Sequence, residues 1–338
     1  MLKQEQTVTR QVDIAVNISK VTKTFEQWQR TGQGKNIIKN LLKPEKKVIT
    51  ALNNVSFKVV KGEFLAYAGP NGAGKSTTMK LLCGMLLPVA GEIDVLGMSP
   101  QKHRTLLMKR VGVLFGNRTE LWWDHPVNSS FEWKRVVWDI PREQFIKTRD
   151  KVVELLDIGG ILNTFARELS LGQRMRADLA MMLLHNPELI LLDEPTLGLD
   201  VLAKRQMISF LKELNRERQT TIIVTSHDMN DLEEMAERIL LISDGKVSFD
   251  GSFDQLRKTV GDLCHISLTM HGGNMPGLTC GSLISESNGI FEYEVDTNKT
   301  PIKSVLSEIS GMEGISDIEL KKAPIEQVIA DIYCKWKE

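Results

Sequence analysis

GPNGAGKST, residues 69–77, follows the apolar run FLAYA and opens a segment, Ser76 to Leu87, whose apolar residues recur at helical spacing. The stretch fits the phosphate-loop pattern G-x-x-x-x-G-K-[ST] at Gly69, Gly74, Lys75 and Ser76, in the strand–turn–helix setting the pattern needs. Each residue type has a physical reason. Glycines let backbone amides approach phosphate oxygens, the Lys75 ammonium neutralises β and γ phosphates, and the Ser76 hydroxyl can ligate magnesium. Asn71, Gly72 and Thr77 belong to the same candidate cradle. Farther along, ELILLD (188–193) and TTIIVTS (220–226) are apolar strands separated by a helical segment, LAKRQMISFLKELNRE. Shorter strands are predicted near Gly91 to Leu96 and Val111 to Phe115, and RILLISDGKVSFDG reads as a hairpin turning at Asp244-Gly245. Strand–helix–strand alternation with continuous apolar strands predicts an α/β fold whose parallel sheet is covered on both faces.

Two of those strands end in reactive groups. Asp193 and Glu194 close LILLDE at the carboxyl edge of the sheet, where open α/β sheets bind ligands. Asp193 is the expected magnesium partner, and Glu194 is placed to order or deprotonate a water. His227, just past TTIIVTS, reaches the same edge and is a candidate contact for a γ-phosphate. A second anion site is readable at LSLGQ, residues 169–173. Ser170 and Gln173 form a capping box, and Leu171, Met175, Leu179, Met182 and Leu183 then repeat at helical spacing. The free N–H groups and positive dipole end of such a helix attract an anion.

Composition limits the remaining possibilities. The 338 residues carry 43 basic and 43 acidic side chains, so no net field gathers nucleic acid or anionic lipid. Four scattered cysteines lack any metal-like spacing and read as reduced thiols of a cytosolic protein, with Cys83 packed on the helix after the phosphate loop. No apolar run approaches the roughly 18 residues that span a bilayer, and the polar N-terminus does not resemble a signal peptide. The expectation is a cytoplasmic chain that meets a membrane only through a partner.

Residues 13–25 read as a strand and 50–68 as two strands joined at Lys61-Gly62; between them, QWQRTGQGKNIIKNLLKPEKK is a basic excursion. It is either a surface element with a helical turn or two around Ile37, Ile38, Leu41 and Leu42, or a docking element. Residues 119–168 read as mostly helical, and their Trp122 and Trp123 are either core or an exposed docking patch. From about residue 258 the pattern becomes that of a small α+β domain. Its last helix carries the stripe Ile325, Val328, Ile329 and Ile332, which either closes that domain or forms a dimer contact.

GPNGAGKST, LSLGQ, LLDEP, the GLD of 198–200 and TSHD at 225–228, in this order and spacing, resemble the nucleotide-binding subunit of ATP-binding-cassette (ABC) transporters over roughly residues 13–255. FGNRTELWWDHP (115–126), the leucine within LSLGQ and the excursion before the phosphate loop resemble a bacterial exporter subgroup, similar to drug-export ATPases with separately encoded permeases. The resemblance implies a P-loop NTPase fold: a RecA-like core, an N-terminal antiparallel β-subdomain and a helical subdomain at about 118–180. The domains would be 1–257 for the cassette and 258–338 for a small α+β accessory domain.

It also implies ATP and Mg2+ as ligands, with a type 2 exporter-like permease and a second identical or similar ATPase subunit as partners. Nucleic acid is not among them, and the chain would sit on the inner face of the cell membrane through the permease. Two such cassettes pair head to tail, so Ser170, Gly172 and Gln173 would meet the ATP held by the other's phosphate loop, and Asp200 would face the partner. Phe25 matches the adenine-stacking aromatic, with Trp28 as its rival. Asn117 stands where the family usually has a metal-sensing glutamine, and Leu171 replaces the first glycine of LSGGQ. The other functional class is an ABC-type ATPase acting on ribosomes or nucleic acid. Such forms usually carry two cassettes or a long coiled coil, whereas this chain has one phosphate loop and no sustained heptads.

Overall fold

The computed structural model describes residues 13–29, 45–115, 118–260, 263–270, 277–312 and 314–337. The chain divides into two compact units, Met1–Asp250 and Gly251–Glu338. In the first, a six-stranded sheet has the order β5-β6-β7-β3-β8-β9, from β5 (Val111–Phe115), β6 (Leu189–Asp193), β7 (Thr221–Thr225), β3 (Phe64–Ala68), β8 (Arg238–Ser243) and β9 (Lys246–Ser252). β5, β6, β7, β3 and β8 run parallel. Every residue of β3 and β7 is buried, which is why these strands read as unbroken apolar runs. The β8–β9 turn is made by Asp244 and Gly245, both with positive φ, as a two-residue hairpin requires.

A separate three-stranded sheet, β2-β1-β4, is antiparallel where β1 (Ile14–Gln29) meets β2 (Glu45–Val60) and β4 (Ala90–Val95). The excursion between β1 and β2 therefore starts and ends as paired strand, with Gln29 opposite Glu45. Its apolar cluster at Ile37, Ile38, Leu41 and Leu42 lies outside the described residues. The two sheets share a core: Val16, Leu52 and Val59 pack with Leu65, Tyr67, Met79 and Leu81, all at or below 1 % exposure. Burying each such leucine contributes about 2 kcal/mol.

Between β5 and β6 the chain is mostly helical, with α-helices Val127–Val137 and Arg142–Leu155, single turns at Gly159–Ile161 and Ala166–Glu168, then the helix Leu171–Leu183. Phe131, Phe145 and Ile158 form its interior. Trp122 and Trp123 do not: they are 39 % and 51 % exposed, which removes the core reading. The turn 121–125 explains it. The Trp122 N–H is held by Ser130 Oγ and the Trp123 carbonyl by the Arg167 N–H, so both backbones are pinned at the surface. Trp122 then packs edge-on against His125, and Trp123 lies beneath the Arg174 guanidinium.

The second unit is a four-stranded antiparallel sheet, β11-β12-β10-β13, from β10 (Leu263–Met270), β11 (Ser282–Ser287), β12 (Ile290–Asp296) and β13 (Ile315–Lys322). Alternate residues Ile266, Leu268, Phe291, Tyr293 and Val295 bury one face under Val305 and Ile309 of the helix Ile302–Ser310. Ile325, Val328, Ile329 and Ile332 are 4 % exposed or less, because their helix packs on the helix Phe253–Val260 of the same unit. The stripe is core of this unit and not a dimer contact.

Candidate functional site

Consecutive parallel strands deliver four segments to one sheet edge: the phosphate loop after β3, Phe115 at the end of β5, Asp193-Glu194 at the end of β6, and His227 two residues beyond β7. They surround a cavity of about 510 Å3 lined by Asn71, Gly72, Gly74, Lys75, Ser76 and Thr77 on one side and Asp193, Glu194 and His227 on the other. A larger groove, about 1000 Å3, lies near Glu63, Glu213 and Glu233, away from every motif, and its five glutamates outnumber the basic Lys212, Arg216 and Arg238, a balance that does not favour a polyanion. The smaller cavity, which gathers the motif residues, is the candidate site.

The phosphate loop is shaped by its glycines and its lysine. Gly74 caps the helix Lys75–Leu82 with φ 111°, and a Cβ there would stand 2.6 Å from the Ala51 carbonyl oxygen, so no other residue fits. Lys75 Nζ donates to the carbonyls of Gly69 at 2.7 Å and Pro70 at 3.3 Å, which ties the lysine back onto the start of the loop. Burial pushes the Lys75 ammonium below its ordinary range, and the Glu194 and Asp193 carboxylates partly restore it.

Opposite the loop, Thr225 organises both carboxylates. Its hydroxyl donates to Asp193 Oδ1 at 2.7 Å and accepts the Glu194 N–H at 3.1 Å. Glu194 has φ 59°, turning its side chain away from the strand direction and toward His227. Glu194 Oε2 accepts the His227 backbone N–H at 3.0 Å, and Oε1 lies 3.3 Å from His227 Nε2. Burial raises the Glu194 carboxyl above the usual range, against the opposing pull of His227 and Lys75. A carboxylate so placed at the cavity wall can accept a proton.

Comparison with known proteins assigns the family. Residues 52–197 match the ABC transporter family. The ABC transporter ATP-binding protein NatA of Bacillus subtilis (strain 168) is 30 % identical over 212 residues, 63 % of this chain and 86 % of its own. The chain belongs to the ABC transporter ATP-binding family. Another Bacillus subtilis (strain 168) relative, the uncharacterized ABC transporter ATP-binding protein YhcH, is 29 % identical over 287 residues, 85 % of this chain and 90 % of its own. Among solved structures, the ATP-binding cassette MJ0796, a dimer in a post-hydrolysis state bound to ADP and Pi, aligns with a TM-score of 0.59. It is 26 % identical and covers 70 % of this chain and 98 % of its own. The P-loop NTPase fold is thereby shared, and the ABC cassette described here binds ATP and is an ATPase.

Within the cassette the remaining expected residues fall in three places. Ser170, Gly172, Gln173 and Asp200 do not line the phosphate cavity of their own chain. Ser170 Oγ accepts the Gln173 N–H at 3.2 Å and Gln173 Oε1 accepts the Ser170 N–H at 2.9 Å, so the helix start is a closed capping box with amides to spare. Asp200 caps the next helix, accepting the Ala203 N–H at 2.8 Å. Phe25 is also absent from the cavity wall. It stands on β1 opposite Ile49, 37 % exposed, with Lys23 Nζ 5.1 Å from its ring. Asn117 lies outside the described residues, as does the side chain of Trp28.

The sequence reading overlooked Thr225, Lys80 and Arg118. The last two add cationic groups to the cavity beside Lys75, which favours a polyanion. Thr225 was visible as the first letter of TSHD, but its role depends on standing opposite Asp193 in the β6–β7 register.

Proposed function

We propose that this cassette drives export through a separately encoded, type 2 exporter-like permease, as one of two subunits that close head to tail on two MgATP. The observation that supports this reading is the split of the anion-binding groups. Lys75, Asp193, Glu194 and His227 share one cavity, while the capped helix start at Ser170, with Gly172, opens elsewhere on the same chain. A second cassette, identical or similar, completes each site.

Within one site, the loop amides of Gly69, Asn71, Gly72 and Gly74 and the Lys75 ammonium hold the β and γ phosphates, with Thr77 beside them. The Ser76 hydroxyl and Asp193 carboxylate are hard oxygen donors on adjoining walls, a set that suits magnesium completed by phosphate oxygens and water. Bound there, the metal supplies charge neutralisation on the phosphates. Thr225 keeps Asp193 oriented by donating to it, leaving the other carboxylate oxygen for the cavity. Glu194 accepts a proton from the attacking water, and His227 positions the γ-phosphate through its ring. From the partner, Ser170, Gly172 and Gln173 present the capped helix end to that same phosphate, with Asp200 alongside.

Adenine stacking falls to Phe25 or Trp28, and metal sensing to Asn117. Trp122 and Trp123 offer the permease an apolar surface. Closing with ATP and opening after hydrolysis drives the permease by differential affinity for two states. The cassette works at the inner face of the membrane, held there by the permease; among the described residues no helix is long and apolar enough to cross a bilayer. Residues 258–338 are an accessory domain. Affinity purification of the tagged chain from detergent extracts tests this. A polytopic membrane protein should copurify in stoichiometric amount, and ribosomes or DNA in its place would overturn the transport reading.

A further inference from the structure

Asp178 lies in the middle of the helix Leu171–Leu183 and is 6 % exposed. Aspartate is a poor helix former, and burying a carboxylate costs stability unless its hydrogen bonds offset the loss of water. Here those bonds are specific. Asp178 Oδ1 accepts both the Thr119 hydroxyl at 2.7 Å and the Glu120 N–H at 3.1 Å, and the Thr119 hydroxyl oxygen accepts the Leu121 N–H at 3.0 Å. One carboxylate oxygen thus holds three consecutive residues. Farther on, Ser130 Oγ accepts the Trp122 N–H at 2.9 Å, and Glu120 Oε2 accepts the buried Lys134 ammonium at 2.8 Å. On the other side stands Arg118. Its N–H donates to the Phe115 carbonyl at 2.8 Å, and Phe115 pairs with Asp193 in the β5–β6 register. The Arg118 backbone is therefore fixed twice, to the sheet through Phe115 and to the helix through Thr119. Arg118 lines the phosphate cavity and also a cavity of about 410 Å3 that it shares with Thr119, Arg174 and Asp178. Arg174 lies over the Trp123 ring, 5.8 Å from its centre. Arg118 is exposed and, among the described residues, makes no ion pair.

We propose that Asp178 is a positioning residue for nucleotide binding: through Thr119 it holds Arg118 at the phosphate cavity, where the guanidinium meets the polyphosphate. The proposal rests on the reading of that cavity as the ATP site and adds two residues to it. Both Asp178 bonds fall on the two residues directly after Arg118, the cation that lines both cavities. A long arginine side chain loses much freedom when it engages a ligand, so a backbone fixed beforehand preserves affinity. Removing the Asp178 carboxylate releases Thr119 from the helix. It leaves Lys134 on Glu120 and Ser130 on Trp122, so the disturbance concentrates on the Arg118 side.

Isothermal titration calorimetry of MgATP against the full chain carrying Glu194→Gln reads affinity without turnover. Arg118→Ala should raise Kd about tenfold, the size of one charge-assisted phosphate contact. Asp178→Ala and Thr119→Val should each raise it about fivefold. Adding either to Arg118→Ala should change Kd by less than about twofold, because all three act through one contact. Asp178→Asn, which still accepts both bonds, should bind within about twofold of the Glu194→Gln chain. Lys134→Met releases the other anchor of Glu120 and should lower the melting temperature while leaving Kd unchanged. Unchanged affinity in Asp178→Ala, or in Thr119→Val where Asp178→Ala does not fold, would overturn the tether. Full additivity with Arg118→Ala, or an equal loss in Lys134→Met, would reduce these bonds to packing and overturn it as well. Lys75→Ala separates the tether from the reading beneath it. Lost affinity there, beside unchanged tether variants, leaves the ATP site standing, whereas undiminished affinity in Lys75→Ala would overturn both.

Discussion

Replacing Glu194 by glutamine separates proton acceptance from everything else the residue does. The backbone at 194 is held by N–H bonds to the Thr225 carbonyl and hydroxyl, both 3.1 Å, and these do not involve the side chain. Glutamine retains an oxygen for the His227 N–H, which Glu194 Oε2 now accepts at 3.0 Å. Shape and nucleotide binding should therefore persist. What disappears is the basic oxygen, and a positioned general base is worth about 10²- to 10⁴-fold in rate, or roughly 3–5 kcal/mol of barrier. Phosphate release from Glu194→Gln should fall by that factor while ATP affinity stays near that of the unsubstituted protein.

The same residue predicts two pH signatures. Because burial raises the folded-state pKa above its unfolded value, the neutral carboxyl is the form the fold prefers. That stabilisation is complete below the unfolded value, about 4, and is lost as pH rises through the raised folded value. At pH 7.5 the charged carboxylate therefore costs stability, and Glu194→Gln should melt at a higher temperature, with the gap closing on acidification. Catalysis needs the opposite form, so turnover of the unsubstituted enzyme should climb with pH across the same window. The residual activity of the variant should lack that limb. Hydrolysis at the unsubstituted rate, or an identical acid limb in the variant, would refute the assignment of Glu194 as base.

Ser170→Ala removes one half of the capping box and should lower stability by about 1 kcal/mol in denaturant titrations. It should also reduce hydrolysis while leaving monomer ATP affinity unchanged; an equal loss of monomer affinity would place the helix start in its own subunit's site. Asp178, on the same helix, accepts the Thr119 hydroxyl at 2.7 Å and the Glu120 N–H at 3.1 Å, yet burial pushes its carboxyl up to about 6. Stability from the neutral form is present below about pH 4 and lost as pH rises through about 6. Asp178→Asn, which still accepts both bonds, should thus melt near the unsubstituted protein at pH 4 and above it at pH 7.5.

Much of the cassette was legible because its signals are local. The phosphate loop needs glycine backbone freedom and a lysine within nine residues, the capping box needs Ser170 and Gln173 three apart, and the Asp244-Gly245 turn needs two positive φ values. The strand ends at Asp193 and Thr225 were equally readable as breaks in apolar runs. Other elements carried no such mark. β1 and β2 extend to Gln29 and Glu45 through residues of mixed polarity, held by backbone pairing with each other. β11, Ser282–Ser287, is exposed at every position and shows no alternation that burial would impose.

The sequence by itself determined the chemistry: which residue types hold phosphate, which carboxylates end strands, and which helix begins with spare amides. These follow from short-range geometry and from the period of apolar residues. Only the tertiary structure decided exposure and pairing. It put Trp122 and Trp123 at the surface and Ile325, Val328, Ile329 and Ile332 in a core, although both groups are apolar at helical or turn positions. It set Thr225 beside Asp193 through strand register, and laid Leu171 on Gly198 from 27 positions away. Burial and register are sums over distant neighbours, so no window of sequence contains them.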